Sequence, residues 1–386
     1  MPKQLRRILT VSMLGRIVHD VAVRLVYPFM PEIAKGLGVS IDQLGALVSL
    51  RNGIGIIGPV FGAMSDRIGH RRAMTLGLLA LSIGLAIIGV SEGLAVPAIG
   101  LLLAGIGSAI YIPTLQAYVS ERVPYQQRGR VLGAIELTWA AAGMAGVPVM
   151  GVLIGSLSWR APFIGLAVGA LACSVLTLLL EETPPSQRAH VEPFKFSSLL
   201  QHKSAMAFML VWLLVFFAFE NIQVSYGSWL EKQFGLSAAD RGGTQTLFGI
   251  FEIAASAGSS AFLDRIGKKR GVIIGLIVVA IGYVMLASIA SQALPLALIS
   301  ISVAFLGFEF SVVSGIPIMS EQIPEARGTM LALGVTAGSV GRMIADLTGS
   351  ALTAGAGFTV AALVSLVAGV MTVIVFILGV KERATR

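Results

Sequence analysis

Charge is what this sequence has least of. Only 12% of its 386 residues are charged, whereas a soluble globular domain carries about 25%. With 55% hydrophobic residues and a mean hydropathy of +0.86, that deficit excludes an ordinary soluble domain and implies a chain solvated by lipid. Cysteine is nearly missing as well. Cys173 stands alone in an apolar run, so no disulfide can form within the chain and the redox compartment leaves no mark. No metal-binding cluster, nucleophile triad or phosphate-cradling loop is present, so no enzyme activity and no cofactor are expected. No loop is long enough to form a separate catalytic module.

A net charge of +8 would suit a nucleic-acid binder if the basic residues were gathered on one soluble segment. They are scattered through short loops instead, so no nucleic-acid partner is expected. The 45 glycines fit a membrane interior, where small residues let helix backbones approach closely.

What the chain has in abundance is apolar runs. A bilayer core needs roughly 20 apolar residues per helix. Runs of that kind fall near residues 8–30, 44–64, 73–90, 95–119, 131–155 and 161–180, and again near 204–229, 243–263, 271–290, 294–319, 329–354 and 359–380. The expected fold is an all-α membrane protein of twelve transmembrane helices. Its halves are residues 1–180 and 204–386, joined by a polar cytoplasmic linker, 181–203, that carries Pro184, Pro185 and mixed charge. Of the 28 Lys and Arg residues, twenty fall in segments assigned to one side of the membrane. Only Lys35, Arg160, Lys232 and Arg241 fall on the other. This bias places both termini in the cytoplasm. Lys3, Arg6 and Arg7 precede an apolar stretch long enough to span and without a cleavage site, so the first helix is expected to remain as an anchor.

Two loops repeat. Gly62-Ala-Met-Ser-Asp66-Arg67-Ile-Gly69-His70-Arg71-Arg72 follows the second span, and Ser260-Ala-Phe-Leu-Asp264-Arg265-Ile-Gly267-Lys268-Lys269-Arg270 follows the eighth, 198 residues later. Ser120-Glu121-Arg-Val-Pro124 follows the fourth span, and Ser320-Glu321-Gln-Ile-Pro324 follows the tenth, 200 residues later. Internal duplication at one offset is a mark of secondary transporters.

The first of these loops resembles the signature of the major facilitator superfamily, G-x-x-x-D-R-x-G-R-R, with His70 where arginine is usual. Pro28-Phe-Met-Pro31, followed by Ala34, Leu37 and Gly38, resembles the end of the first helix in the drug and proton antiporter branch. The likeness covers essentially the whole chain. It implies two six-helix bundles that alternate access to the two sides of the membrane, and proton-coupled export of small amphiphilic molecules. It differs in the fourth span, where Leu101-Leu-Leu-Ala-Gly105-Ile-Gly107-Ser108 has leucine in place of the antiporters' arginine, so Arg51 or Arg24 is the candidate substitute. The fifth span keeps Gly143, Gly146-Val147-Pro148, Gly151 and Gly155 in place of an adjacent Gly-Pro, which still describes a kinked, closely packed helix.

The physical role of the repeated loop can be stated on its own. Gly62 and Gly69 allow close approach and a tight turn, and Asp66, Arg67, Arg71 and Arg72, with Asp264 and Arg265 in the copy, form a charged latch at the cytoplasmic surface.

Charges inside the spans mark the remaining candidates. A charge at mid-bilayer costs about 3 kcal/mol or more, so each is expected to face a cavity or a partner. Arg16, Asp20 and Arg24 share one face of the first helix at i, i+4, i+8, so that Asp20 pairs with one arginine and leaves the other free. Arg342 and Asp346 repeat the i, i+4 pairing in the eleventh span. Asp20, Glu136, Glu220, Glu252, Glu309 and Asp346 are the candidate proton carriers, with Glu220, Glu252 and Glu309 favoured because no basic residue shares their span. Arg16, His19, Arg24, Arg51, Asn52, Gln116, Trp212, Asn221, Gln223 and Arg342 are the candidate substrate contacts. None of these ionisable residues falls in the third, sixth, ninth or twelfth span, which the resemblance places away from the cavity. The expected partners are the lipid bilayer, protons and a small-molecule or lipid substrate, and the expected setting is a monomer in a bacterial inner membrane. The rival readings are a carrier of lipid headgroups or organic anions on the same fold, and a membrane receptor that transports nothing.

Overall fold

A computed structural model describes residues 3–123, 125–182, 202–323 and 327–382; the side chains of residues 3–5, 125–130, 132, 264 and 327 lie outside the description. Every regular element among the described residues is helical. In chain order they are α1 (Lys3–Arg24), α2 (Met30–Leu37), α3 (Ile41–Gly53), α4 (Gly58–Ile68), α5 (His70–Val90), α6 (Ala95–Arg122), α7 (Tyr125–Ala141), α8 (Val147–Ser156), α9 (Arg160–Thr177), α10 (Lys203–Phe234), α11 (Ala238–Ile266), α12 (Lys268–Ser288), α13 (Leu294–Glu321), α14 (Arg327–Gly355) and α15 (Phe358–Gly379). A short 3₁₀ turn, Ile54–Ile57, joins α3 to α4, and a π turn, Ala142–Gly146, joins α7 to α8. Pro59 and Pro148 lie just beyond these turns. Proline supplies no N–H to the helical ladder and crowds the carbonyl four residues back, so the helix adjusts its pitch there.

Among the described residues, eleven helical segments are long and apolar enough to cross a membrane. Helix α1 is not among them, since Arg16, Asp20 and Arg24 interrupt its apolar run. It is nonetheless a continuous helix of 22 residues. Gly38, at φ 71°, ends α2, and Ser40 starts α3 with a reciprocal cap in which the Gln43 side-chain oxygen accepts from the Ser40 amide.

The chain divides into two compact units, residues 1–190 with 236–246, and residues 191–235 with 247–386. The first turns of α11 thus belong to the first unit, where Gly242 packs on Pro148 and Gly151 of α8 and Arg241 pairs with Glu32 of α2. Within the first unit α5 lies against α6 and α9; within the second, α12 lies against α13 and α15, and α10 against α14 and α15.

Glycine sets the closest of these contacts. On α5, a Cβ at Gly84 would stand 2.5 Å from the Gly100 carbonyl of α6, and one at Gly107 of α6 would stand 2.6 Å from the Gly77 carbonyl. In the second unit, a Cβ at Gly275 or Gly282 would meet the backbone nitrogen of Ser311 or Ala304 of α13 at 2.5 or 2.6 Å. Gly77 and Gly275 are 198 residues apart, as are Gly84 and Gly282. The duplication visible in the loops therefore extends into the packing of the helices, where backbone contact and dispersion replace the hydrophobic force that is absent in lipid.

The substitution Gly84→Ala should lower the Tm of detergent-purified protein by several degrees, since overpacking costs about 1–3 kcal/mol. Gly165→Ala is the control: its added methyl meets nothing within 4 Å, so its Tm should hold or rise. Equal Tm values for the two variants would refute the packing account.

Candidate functional site

The loop residues come first because they frame each unit. Gly69 (φ 102°) ends α4 and Gly267 (φ 87°) ends α11, both in a backbone region that favours glycine. The Glu182 carboxylate caps the amino end of α5, accepting the amide N–H groups of Arg71 at 3.1 Å and Arg72 at 3.3 Å. A Cβ at Gly69 would stand 2.6 Å from that carboxylate. Arg71 donates to the Leu180 carbonyl at 3.3 Å, and Lys269 donates to the Val380 carbonyl at 2.7 Å in the second unit. His70 meets Glu121 at 2.9 Å, and Lys268 meets Glu321 at 2.5 Å. His70, Arg71, Lys268 and Lys269 therefore tie segments together inside their own unit. Asp66, Arg67 and Arg265 are exposed, Gly62 is partly so, and the side chain of Asp264 lies outside the described residues.

In the first unit the charges of α1 gather with residues from α6 and α7. Arg16 Nε donates to both Asp20 oxygens, at 2.9 and 3.0 Å, and its Nη2 donates to Glu136 at 3.0 Å. His19 Nδ1 lies 2.9 Å from Asp20 Oδ1, and Thr138 Oγ1 lies 2.9 Å from Oδ2. Gln116 donates to the other Glu136 oxygen at 3.1 Å. Asp20 has 0% exposed side chain while that of Glu136 is 49% exposed. Two acids therefore share one arginine. Asp20 is an enclosed carboxylate held by several donors, and Glu136 is the exposed one of the two.

Arg24 departs from expectation. It is not left free, since its guanidinium lies 4.7 Å from the centre of the Trp139 ring and 3.5 Å from that residue's carbonyl. Gly143 makes room for it: a Cβ there would stand 2.9 Å from the guanidinium. Trp139 lies in the last turn of α7 and Gly143 within the π turn that follows, so the local unwinding and the arginine's seat come together.

Arg51 is 6% exposed and donates to the Tyr27 hydroxyl at 2.9 Å and the Val23 carbonyl at 3.3 Å. Asn52 reaches the same hydroxyl at 3.2 Å. Among the described residues no carboxylate pairs with Arg51. Its side chain borders a small cavity shared with Leu101, Ala104 and Ser108 of α6, so a guanidinium from α3 stands beside the leucine that replaces the expected arginine of the fourth span.

In the second unit the aromatic residues form a continuous ladder. Trp212 stacks on Phe208 at 5.4 Å, Phe216 meets Phe308 at 5.3 Å, and Phe219 lies flat on Phe308 at 3.7 Å before Phe305 and Phe248 continue the series. Arg342 stands 4.7 Å over Phe216. Its Nε is 3.7 Å from Glu220, so the expected i, i+4 pairing with Asp346 gives way to a contact between α14 and α10. Glu220, which has no basic residue in its own span, meets this one from α14.

Glu309 accepts from Ser256 at 2.8 Å, and Glu252 and Asp346 are buried. Asn221 donates to the Ala361 carbonyl at 2.7 Å and to Ser365 at 2.9 Å, which makes it a clamp between α10 and α15; Gln223 is buried nearby on α10.

Thr138, Ser256 and Glu182 escaped the sequence reading. Helical spacing links Thr138 to no charge on its own helix, since its partner comes from α1. Glu182 had a usable signal, because Glu382 follows it at the 200-residue offset of the second repeated loop.

The sequence pattern of the Major Facilitator Superfamily matches residues 12–258 and 208–386. The tetracycline resistance protein, class C, of Escherichia coli is 28% identical over 291 residues, covering 72% of this chain and 73% of the relative. Multidrug resistance protein 1 of Bacillus subtilis (strain 168) is 22% identical over 237 residues, covering 60% of each. Among solved structures, a D-xylose-proton symporter superposes with a TM-score of 0.81 at 20% identity, covering 98% of this chain and 99% of the other. With its fold, its repeated loops and its sequence pattern in agreement, this chain belongs to the major facilitator superfamily.

Proposed function

We propose that this transporter is a proton-coupled exporter of small amphiphilic molecules, working by alternating access. In this reading α1 is a twelfth span, each half contributes six, both termini are cytoplasmic, and the protein is a monomer in a bacterial inner membrane. The observation that carries the proposal is the pair of acids on Arg16. Protonating the water-accessible Glu136 releases its share of the guanidinium to Asp20; losing the proton restores the bridge between α1 and α7. A proton thus changes how two helices are tied, which is the requirement for coupling. The aromatic ladder of α10, α11 and α13 supplies flat apolar surface for an amphiphile, with Arg342 and Glu220 at its edge. The names of the tetracycline and multidrug resistance relatives support export, and that of the xylose symporter supports protons as the driving ion.

In proteoliposomes, a pH gradient should accelerate flux of tetracycline or a lipophilic cation dye at least tenfold. Glu136→Gln should abolish that acceleration while leaving exchange of substrate at equal pH intact. Flux indifferent to the gradient in the unaltered protein would remove proton coupling. Asp20→Asn should behave differently, because breaking a buried ion pair costs about 3–5 kcal/mol: its Tm should fall before any transport step can be assigned to it.

Arg51 favours a second reading, transport of an organic anion or an acidic lipid headgroup. A buried guanidinium without a carboxylate partner is suited to receiving one from a ligand. If so, Arg51→Gln should weaken binding of an anionic substrate at least tenfold while leaving binding of a cationic dye unchanged. Equal loss for both would assign Arg51 to structure.

A further inference from the structure

The inner face of α1 bears polar atoms that neither the ion pairs nor solvent satisfy. Ser12, Arg16 and His19 follow one another at i, i+4 and i+7, which places them on one stripe of the helix. Among the described residues ten buried side-chain polar atoms lack a hydrogen-bond partner, and four of them are Ser12 Oγ, Arg16 Nη1 and His19 Nε2 on this stripe and Thr114 Oγ1 on α6. Tyr111, one turn before Thr114, joins the two helices: its hydroxyl donates to the Ser12 carbonyl at 3.3 Å, and its ring centre is 6.1 Å from that of His19. Gly15 lies against the same hydroxyl, keeping α1 and α6 close.

Unpaired buried polar atoms are costly and seldom isolated in this way. The groups here are a guanidinium N–H that donates, an imidazole nitrogen that accepts and two hydroxyls that can do either. Water typically makes about three hydrogen bonds in such a place, both giving and accepting. An anion is disfavoured because Arg16 is already held by two carboxylates, Asp20 and Glu136.

Resting on the proton-coupled reading above, we propose that the seam between α1 and α6 is an internal hydration site, holding ordered water against Ser12, Arg16, His19 and Thr114, through which His19 takes up and returns a proton. The imidazole is placed for both halves of that exchange. Its Nδ1–H donates to Asp20. Its Nε2 accepts a proton from a hydronium in the seam, leaving water behind and an imidazolium paired with the aspartate. On release the Nε2–H bond breaks and the proton returns to water. The charged and titratable groups around it are Arg16 and Asp20 of α1, Arg51 of α3, Tyr111 of α6 and Glu136 of α7, with Cys173 of α9 beyond Tyr111. Glu136 remains the group that meets bulk water; His19 is an enclosed second station for the same proton.

The chain has four histidines, so the test is ¹⁵N-histidine NMR of the full-length protein in lipid nanodiscs, with His19→Gln assigning the His19 signal. Magnetisation should pass from water to the His19 ring N–H, and the double substitution Ser12→Ala with Thr114→Val should slow that exchange at least tenfold. Should the double variant fail to fold, Thr114→Val alone serves, with Thr114→Ser expected to retain exchange. A His19 ring with no water exchange, or exchange unchanged by the loss of both hydroxyls, overturns the proposal. The outcome is separable from that of the coupling experiment: a hydrated His19 in a protein whose flux ignores the pH gradient refutes coupling alone, and a dry His19 in a gradient-driven protein refutes this site alone.

Discussion

Every ionised group in a lipid-solvated chain needs a partner, because the medium supplies none. That constraint organises the first unit. Helix α1 carries Arg16, Asp20 and Arg24 along its length, and each is met by something from another helix or from its own turn. Asp20 is enclosed by Arg16, His19 and Thr138; Arg16 extends to Glu136; Arg24 lies on the Trp139 ring. The partners come mostly from α7, and the π turn at its end places Gly143 against Arg24 and Gly146 against Val21, where a side chain would collide.

The second unit meets the constraint differently. Within its apolar spans it has Glu220, Glu252, Glu309 and Asp346 against Arg342 alone, and it answers with aromatic surface and hydroxyls: Arg342 sits over Phe216 with Glu220 beside it, and Glu309 accepts from Ser256. The two units share a skeleton, seen in the glycine contacts of α5 with α6 and α12 with α13, and in the ties of His70 to Glu121 and Lys268 to Glu321. They differ in what the skeleton holds. The first concentrates hydrogen-bonded charge, the second stacked rings.

Class, most of the spans and the internal duplication were legible in the sequence because each depends on patterns local in the chain: apolar length, loop motifs, and the bias of basic residues. Even there α1 shows the limit, being helical but too charged to pass as a span on composition alone. Which residues carry the candidate chemistry was also legible, since charge in an apolar run is conspicuous wherever it occurs.

Partnership was decided by the tertiary structure. Spacing on α1 lets Asp20 reach either arginine, and only the approach of Trp139, over a hundred residues away, takes Arg24 elsewhere. Spacing on α14 allows Arg342 to meet Asp346, yet Phe216 and Glu220 on α10 draw it across. A helix determines which of its side chains share a face; it does not determine what the neighbouring helix brings to that face, and in a medium without water the neighbour is the solvent.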